Sequence, residues 1–340
     1  MRDFTASPKM GEVQLLSKFK TLNRVPEKFR PVVGAGMFFI LMMAAFIIAS
    51  PRVFLHLGIY SAIFLSLPLF TIIGLSLVFI TAAGEIDLSF PSTISLTGLT
   101  FSWTLEHTHL NFYISALSAI IVGILCGTLN GFLVTRLGLS SLITTLGMNF
   151  ALIGLTQILN NGAVRTFIEL NNSVIRSIFV GSAGPVPAQM FWSFGLAIVL
   201  GVIFHRHKFG LHTRVSGDNP EAGRAMGVNI EMTKSLCFIL IGICSAFTAI
   251  IAVLLNSTYF STMGDGYLLP TLAAVFVGGT PVSGGKGTIG GLVIGAATVV
   301  FIQTGVVAAG LDGYWTSLGF GLVIVLSLLG HRRLSGRLTR

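Results

Sequence analysis

The sequence predicts an all-α polytopic membrane protein of about ten transmembrane helices, some short or broken, with N- and C-termini in the cytoplasm. Three observations predict it. Only 10% of the 340 residues are charged and 53% are hydrophobic, with mean hydropathy +0.87, whereas a soluble domain averages about 25% charged residues. Apolar runs follow one another along the whole chain. The Lys and Arg residues flank those runs, as positive-inside topology requires. A soluble protein with a very large core needs far more polar surface than this. The net charge of +9 does not indicate nucleic-acid binding, because the basic residues form no single basic face.

The elements follow in order. Residues 1–31 form a polar tail with seven Lys/Arg and no cleavable leader pattern, read as a cytoplasmic segment before an uncleaved first span. Apolar runs then come at 32–49, 58–80, 89–105, 111–134, 139–159, 190–204, 235–255, 268–279, 288–309 and 315–329. A spanning helix needs about 20 residues, so the third, sixth and eighth runs are short, and the eighth needs flanking residues or a broken helix to cross. Residues 32–329 make one transmembrane domain, and 330–340 a second cytoplasmic tail. With the N-terminus inside and ten alternating spans, 18 of the 21 Lys/Arg fall in inside segments. Arg52, Arg165 and Arg176 fall outside. The longest outside segment, 160–189, carries the Asn, Gly and Pro of loops plus one short helix.

The longest polar interruption after the tail is the loop 205–234. One short helix inside it has both ends marked. Asn219 is a natural N-cap after Asp218, Pro220 fits the first position, Glu221 suits the positive end of the dipole, Ala222 and Arg224 continue the turn, and Gly227 closes it. Two further stretches interrupt the apolar pattern in related ways about 195 residues apart: Val78-Phe-Ile-Thr-Ala-Ala-Gly-Glu-Ile-Asp-Leu-Ser-Phe-Pro91 and Val275-Phe-Val-Gly-Gly-Thr-Pro-Val-Ser-Gly-Gly-Lys-Gly-Thr288. They suggest an internal repeat with broken helices at matching positions, although so few shared residues also arise by chance.

Ionisable groups at membrane depth are functional candidates, and Glu85 and Asp87 stand at the inner edge of a span. Asp87 or Ser89 capping the next helix is one reading. A place in the transport path or a proton-carrying role are others, the last disfavoured because no span holds a Lys or Arg partner. Gly278, Gly279, Ser283, Gly284, Gly285 and Lys286 resemble a phosphate loop only superficially. Thr280 stands where the Walker pattern needs its first Gly, and Gly287 where it needs Ser or Thr. The chain therefore carries no recognisable ATPase. The glycines suit close backbone packing and a chain break, and Gly287, Gly291 and Gly295 continue as a small-residue packing face.

On the fifth run, Ser141, Thr145, Asn149 and Thr156 lie within roughly 80° of one another at helical spacing. They either bond to neighbouring helices or line a hydrophilic path. Thr145, Asn149, Gln157, Asn256 and Gln303 together offer amides and hydroxyls but few charges, which suits a neutral hydroxylated solute better than an ion. Cys126, Cys237 and Cys244 lie in apolar runs and read as buried hydrophobes. The pairs His107/His109 and His205/His207 lack a second cluster, so no metal site or other cofactor is expected. No nucleophile–base constellation marks an enzyme.

Four stretches resemble one family, the bacterial monosaccharide ABC importer permeases of the ribose, xylose, arabinose and galactose group, within the wider branched-chain amino acid and ribose permease family. Gly84-Glu-Ile-Asp-Leu-Ser89 resembles its G-G-I-D-L-S. Asn130-Gly131 with Leu139-Ser-Ser-Leu-Ile-Thr-Thr-Leu-Gly-Met148 resembles its N-G…P-S-F-I-x-T-L-G-M. Gly217-Asp-Asn-Pro-Glu-Ala-Gly-Arg-Ala-Met-Gly-Val228 resembles its cytoplasmic loop, and 272–288 its I-A-A-V-V-I-G-G-T-S-L-S-G-G-K-G-S signature. The matches fall in order over about residues 75–325. Glu85 replaces the usual Gly, Gly223 the usual Ala, and Ser140 the usual Pro. The resemblance implies a permease subunit in the inner membrane that dimerises with an identical or homologous subunit. It also implies a separate cytoplasmic ATP-binding subunit, a periplasmic binding protein that delivers a neutral sugar or polyol, and a coupling helix at Asn219–Gly227. Nucleosides or branched-chain amino acids are the alternative cargo, and an ion-coupled carrier the alternative mechanism.

Overall fold

The computed structural model describes residues 30–109, 111–169 and 173–334. The N-terminal tail to residue 29 and the end of the C-terminal tail from 335 lie outside the described residues. Each of the ten apolar runs lies on a helix: α1 (Arg30–Ala49), α3 (Leu57–Ala82), α4 (Phe90–His107), α5 (Phe112–Thr135), α6 (Ser141–Asn160), α8 (Ala188–Arg206), α11 (Ile230–Asn256), α12 (Leu268–Val277), α13 (Ile289–Ala308) and α14 (Tyr314–Leu334). Between them lie the short helices α2 (Pro51–Phe54), α7 (Val174–Val180), α9 (Lys208–Asp218) and α10 (Pro220–Ala225). Seven of the described helices, namely α1, α3, α5, α6, α8, α11 and α13, are long and apolar enough to cross a membrane. Helix α12 has only 10 residues, which is about 15 Å against a hydrocarbon core of about 30 Å. The run at 268–279 is thus a half-length helix ending in a glycine break, as its length required.

The polar loop departs from expectation in two ways. It holds two helices, not one, because His207 Nδ1 caps the Phe209 N–H at 3.2 Å and starts α9. The next span also begins early, at Ile230, where Asn229 Oδ1 accepts the Met232 N–H at 2.9 Å and Glu231 occupies the first turn. Lys234, expected in the loop, therefore sits inside α11. The capped polar turns of α11 precede its apolar stretch, so hydropathy alone misses them.

Helix α3 is the axis of the fold, buried from Leu67 through Ala82. It packs on α8, α9, α11, α12 and α13. Helix α11 packs on α3, α4 and most extensively on α5. That last contact is backbone to backbone. A Cβ on Gly242 would overlap the Gly123 carbonyl oxygen, and one on Gly127 would lie 2.7 Å from the Ile239 Cα. Gly123, Gly127 and Gly131 recur every four residues on α5, so one helix face is free of side chains and the axes close up. Helix α6 lies outside, on α4 and α5, while α1 and α14 cover α13. Gly291 and Gly295 of α13 meet the Gly278 and Ala274 carbonyls of α12, as their small-residue spacing predicts.

The strands are two-residue pieces in the long connections. β1 (Arg165–Thr166) pairs antiparallel with β4 (Thr258–Tyr259), and β2 (Ser182–Ala183) with β3 (Val186–Pro187). The β1–β4 pair ties the connection after α6 to the one after α11, whereas β2 and β3 close a turn within a single connection. Arg165 reinforces the tie by bonding Glu106 at the end of α4 and Asn160 at the end of α6, and Asn160 Nδ2 donates to Ser261 Oγ at 2.8 Å. Arg176 Nε donates to the Leu254 carbonyl at 3.1 Å.

Candidate functional site

Helix α10 is built as its sequence demands. Asn219 Oδ1 accepts the Ala222 N–H at 3.0 Å, and Pro220 occupies the first turn, where no N–H is missed. At the other end Gly227 has φ +81°. Its N–H donates to the Arg224 carbonyl, and the Val228 N–H to that of Gly223, both at 3.0 Å, which is a Schellman termination. Asp218, Asn219, Glu221, Ala222, Arg224 and Gly227 are exposed. Gly223 is buried, and a Cβ there would lie 2.9 Å from both Val215 Cγ1 and Ile230 Cδ1. The helix therefore rests on α9 and α11 through a side-chain-free point and turns its polar face outward.

The two breaks share one architecture. Helix α3 ends with Gly84 N–H on the Thr81 carbonyl and Glu85 N–H on that of Ile80. Helix α12 ends with Gly279 N–H on Phe276 and Thr280 N–H on Val275. Both are Schellman terminations; the first is followed by irregular chain and the second by a turn with Gly284 and Gly285 at positive φ, and each leads to a new helix whose N-cap is Ser89 or Thr288.

The first break leaves backbone groups that the bundle must satisfy. Ser89 N–H and Oγ–H donate to Asp87 Oδ1 at 2.6 and 2.7 Å. The Phe90 N–H and Asn130 Nδ2 also donate to the Asp87 carboxylate, and Asn130 Nδ2 donates to Ser89 Oγ at 2.7 Å. Asp87 is thus the anchor of the α4 N-terminus. It lies in the connection between two spans, and burial pushes its carboxyl above the usual range while these donors pull it back. Ser141 Oγ accepts the Ile86 N–H at 3.3 Å, and Thr145 Oγ1 accepts that of Leu88 at 3.0 Å. Ser141 and Thr145 of the polar stripe thus repair the broken backbone, while Thr156 Oγ1 donates to the Leu152 carbonyl of α6 itself.

Glu85 makes an ion pair with Lys234 Nζ at 2.6 Å. Each side chain is 17% exposed, so neither charge is well hydrated. This corrects the expectation that no span holds a Lys or Arg: Lys234, expected in the loop, lies in the polar first turns of α11. Lys234→Ala is expected to destabilise the fold by about 2–3 kcal/mol, because it strands a mostly buried carboxylate. Glu85→Gly in addition should recover most of that loss. Thermal unfolding of the solubilised protein in a double-mutant cycle checks both.

The three interrupted regions meet. The Gly285 N–H donates to the Ala82 carbonyl at 2.9 Å. A Cβ on Gly284, whose φ is +79°, would lie 2.9 Å from the Gly84 Cα and 3.0 Å from the Gly217 Cα. A Cβ on Gly217 would overlap the Ala82 carbonyl oxygen and lie 2.8 Å from the Gly285 nitrogen. The acidic break, the end of α9 and the glycine break are thus in direct backbone contact. Ser283 and Lys286 remain exposed beside them. No part of this junction follows from any one motif, and Gly217 carries no signal beyond being a glycine in the last turn of a helix.

The five residues read as a path do not converge. Thr145 is fully buried against the first break. Asn149 is half-buried, its Oδ1 without a protein donor, and Gln157 is exposed two turns further along α6. Asn256 is exposed at the end of α11, its Nδ2 on the Ala252 carbonyl, and Gln303 is exposed on α13. Helix α6 packs on α4 and α5, whereas α13 packs on α1, α3, α8, α12 and α14.

A bundle of apolar helices, seven of them long enough to cross a membrane, with two broken helices and an exposed capped helix, marks a polytopic membrane protein, and similarity to known proteins gives its class. Residues 59–328 match the family described as the branched-chain amino acid transport system permease component, and the chain belongs to that family. It is a permease component and a multi-pass protein of the inner membrane. Among its relatives, the ribose import permease protein RbsC of Escherichia coli (strain K12) is 30% identical over 256 residues, covering 75% of this chain and 78% of the relative. The probable ABC transporter permease protein y4mJ of Sinorhizobium fredii (strain NBRC 101917 / NGR234) is also 30% identical, over 74% of this chain and 75% of its own length. The autoinducer 2 import system permease protein LsrD of Enterobacter sp. (strain 638) is 28% identical, over 75% and 79%. No solved structure matches the chain.

Proposed function

We propose that this chain is the permease subunit of an ATP-driven importer and forms the membrane path for a neutral monosaccharide or related polyol. The similarity to the ribose permease across three quarters of both chains carries the cargo assignment. ATP hydrolysis then belongs to a separate cytoplasmic subunit, delivery to a periplasmic binding protein, and the path to a dimer with an identical or homologous permease. Asp218, Asn219, Pro220, Glu221, Ala222, Arg224 and Gly227 form the contact with the ATP-binding subunit. A helix capped at both ends and exposed on one face presents that contact preformed, with little ordering cost on docking.

Ten spans with both ends inside accord with the contacts. Gly84, Gly217 and Gly285 come from three segments that alternation puts on one side, and Arg136 pairs with Glu231 there at 3.5 Å. Glu106, Arg165, Asn160 and Ser261 come from segments that it puts on the other. An ion-coupled mechanism is disfavoured by Asp87 and Glu85, since the first holds a helix end and the second is paired to Lys234. The path residues Thr145, Asn149, Gln157, Asn256 and Gln303 would have to face one channel across a dimer, since one chain does not bring them together. Among the break residues, Glu85, Asp87, Ser89, Gly278, Gly279, Gly284 and Gly285 hold the bundle in register, while Ser283 and Lys286 stand exposed on the glycine loop.

Uptake of radiolabelled ribose into proteoliposomes holding this chain, its ATP-binding subunit and the loaded binding protein tests the reading. Uptake that depends on interior ATP and survives an uncoupler is expected; uptake driven by an ion gradient without ATP would overturn it. Asn219→Ala should cost helix α10 about 1 kcal/mol of capping. Retention of the ATP-binding subunit during purification should then fall severalfold, with unfolding temperature nearly unchanged.

A further inference from the structure

The geometry points to the contact among Gly84, Gly217, Gly284 and Gly285 as the joint through which movement of α10 reaches both helix breaks, with Gly217 as its positioning residue. This inference rests on the ATP-driven reading above. Only Asp218 and Asn219 separate Gly217 from the start of α10, a span of under about 11 Å of chain. On its other side Gly217 touches both breaks at once: the Ala82 carbonyl and the Ala83 carbonyl carbon of the first, and the Gly285 nitrogen of the second. Those two breaks are themselves joined by the hydrogen bond from the Gly285 N–H to the Ala82 carbonyl. Asp218 continues the contact, since a Cβ on Gly285 would lie 2.9 Å from the Asp218 Cβ.

The absence of side chains matters mechanically. A contact made through long side chains absorbs a displacement of an ångström by changing rotamers. A contact of backbone on backbone has no such slack, so a shift of α9 and α10 displaces the ends of α3 and α12 directly. Both breaks lead into further helices, α4 and α13, so one input has two outputs.

Gly217 offers a clean test because it lies within α9 and has no positive φ. Alanine is the better helix former there, and only the joint opposes it. The full transporter, with its ATP-binding subunit and binding protein, is compared as wild type, Gly217→Ala and the control Gly290→Ala, whose Cβ would meet nothing within 4 Å. The expected result for Gly217→Ala is retention of the ATP-binding subunit and of basal ATP hydrolysis. Stimulation of hydrolysis by ribose-loaded binding protein should be lost, and ribose uptake should fall at least tenfold, while Gly290→Ala behaves as wild type. Normal stimulation and uptake in a stably folded Gly217→Ala would overturn the joint. Should that variant fail to accumulate, hydrogen exchange of the wild-type complex with and without vanadate-trapped nucleotide decides. Peptides covering 78–90, 212–228 and 276–290 should change together, and a change confined to 212–228 overturns the proposal. Wild-type uptake without any need for ATP would instead remove the ATP-driven reading, and the joint with it.

Discussion

Asp87→Ala is expected to lower the stability of the solubilised protein by about 2–5 kcal/mol, the cost of orphaning the buried donors that it serves. The carboxylate is 1% exposed and accepts from Ser89, Phe90 and Asn130. Its removal leaves the N–H groups of Ser89 and Phe90 unpaired in the bundle, where each orphan costs about 1–3 kcal/mol. The start of α4 then frays, and with it the packing of α4 on α5 and α11. Asp87→Asn keeps one acceptor oxygen but presents an amide N–H to the Asn130 amide, so an intermediate loss is expected. Thermal unfolding should rank wild type, Asn and Ala in that order, with uptake following stability. A proton-carrying Asp87 would give the contrasting result: normal stability in Asp87→Asn together with complete loss of uptake.

Gly242→Val is the second large effect. A Cβ on Gly242 would overlap the Gly123 carbonyl oxygen and lie 2.6 Å from its carbonyl carbon, so α5 and α11 must separate. The loss extends along the whole crossing, because Gly127 and Gly131 pack on Phe238, Ile239 and Ser235 by the same close approach. About 3 kcal/mol or more is expected, at the upper end of overpacking costs. Gly147→Ala on α6, where a Cβ meets nothing within 4 Å, should be neutral. Equal unfolding temperatures for Gly242→Val and Gly147→Ala would remove this crossing from the account of what holds the bundle.

Local signals were sufficient wherever a single segment decides its own structure. The ten helices were legible because apolar runs must pair their backbone groups within themselves. The capped α10 was legible because Asn219, Pro220 and Gly227 each solve a problem of the turn they occupy. The half-length α12 followed from its short run. The polar stripe of α6 was visible as periodicity, but its purpose was not. Ser141 and Thr145 serve backbone groups of Ile86 and Leu88 more than 50 residues away, and nothing in α6 names that partner.

The early start of α11 hid Lys234 from the sequence reading, and with it the mate of Glu85. The residues chosen for a sugar path shared only chemistry, and chemistry without a common face did not bring them together. The spacing of Gly123, Gly127 and Gly131 was available as a signal for the α5–α11 crossing.

By itself the sequence determined a helical membrane protein, the order of its apolar helices and the family. Those properties depend on transfer of residues to an apolar medium and on capping within a turn, both local. Only the tertiary structure decided that the acidic break, the last turn of α9 and the glycine break share one junction. Gly84, Gly217 and Gly285 stand on three separate segments with no shared spacing, so nothing local announces their contact, which depends on how α3, α9 and α12 are placed.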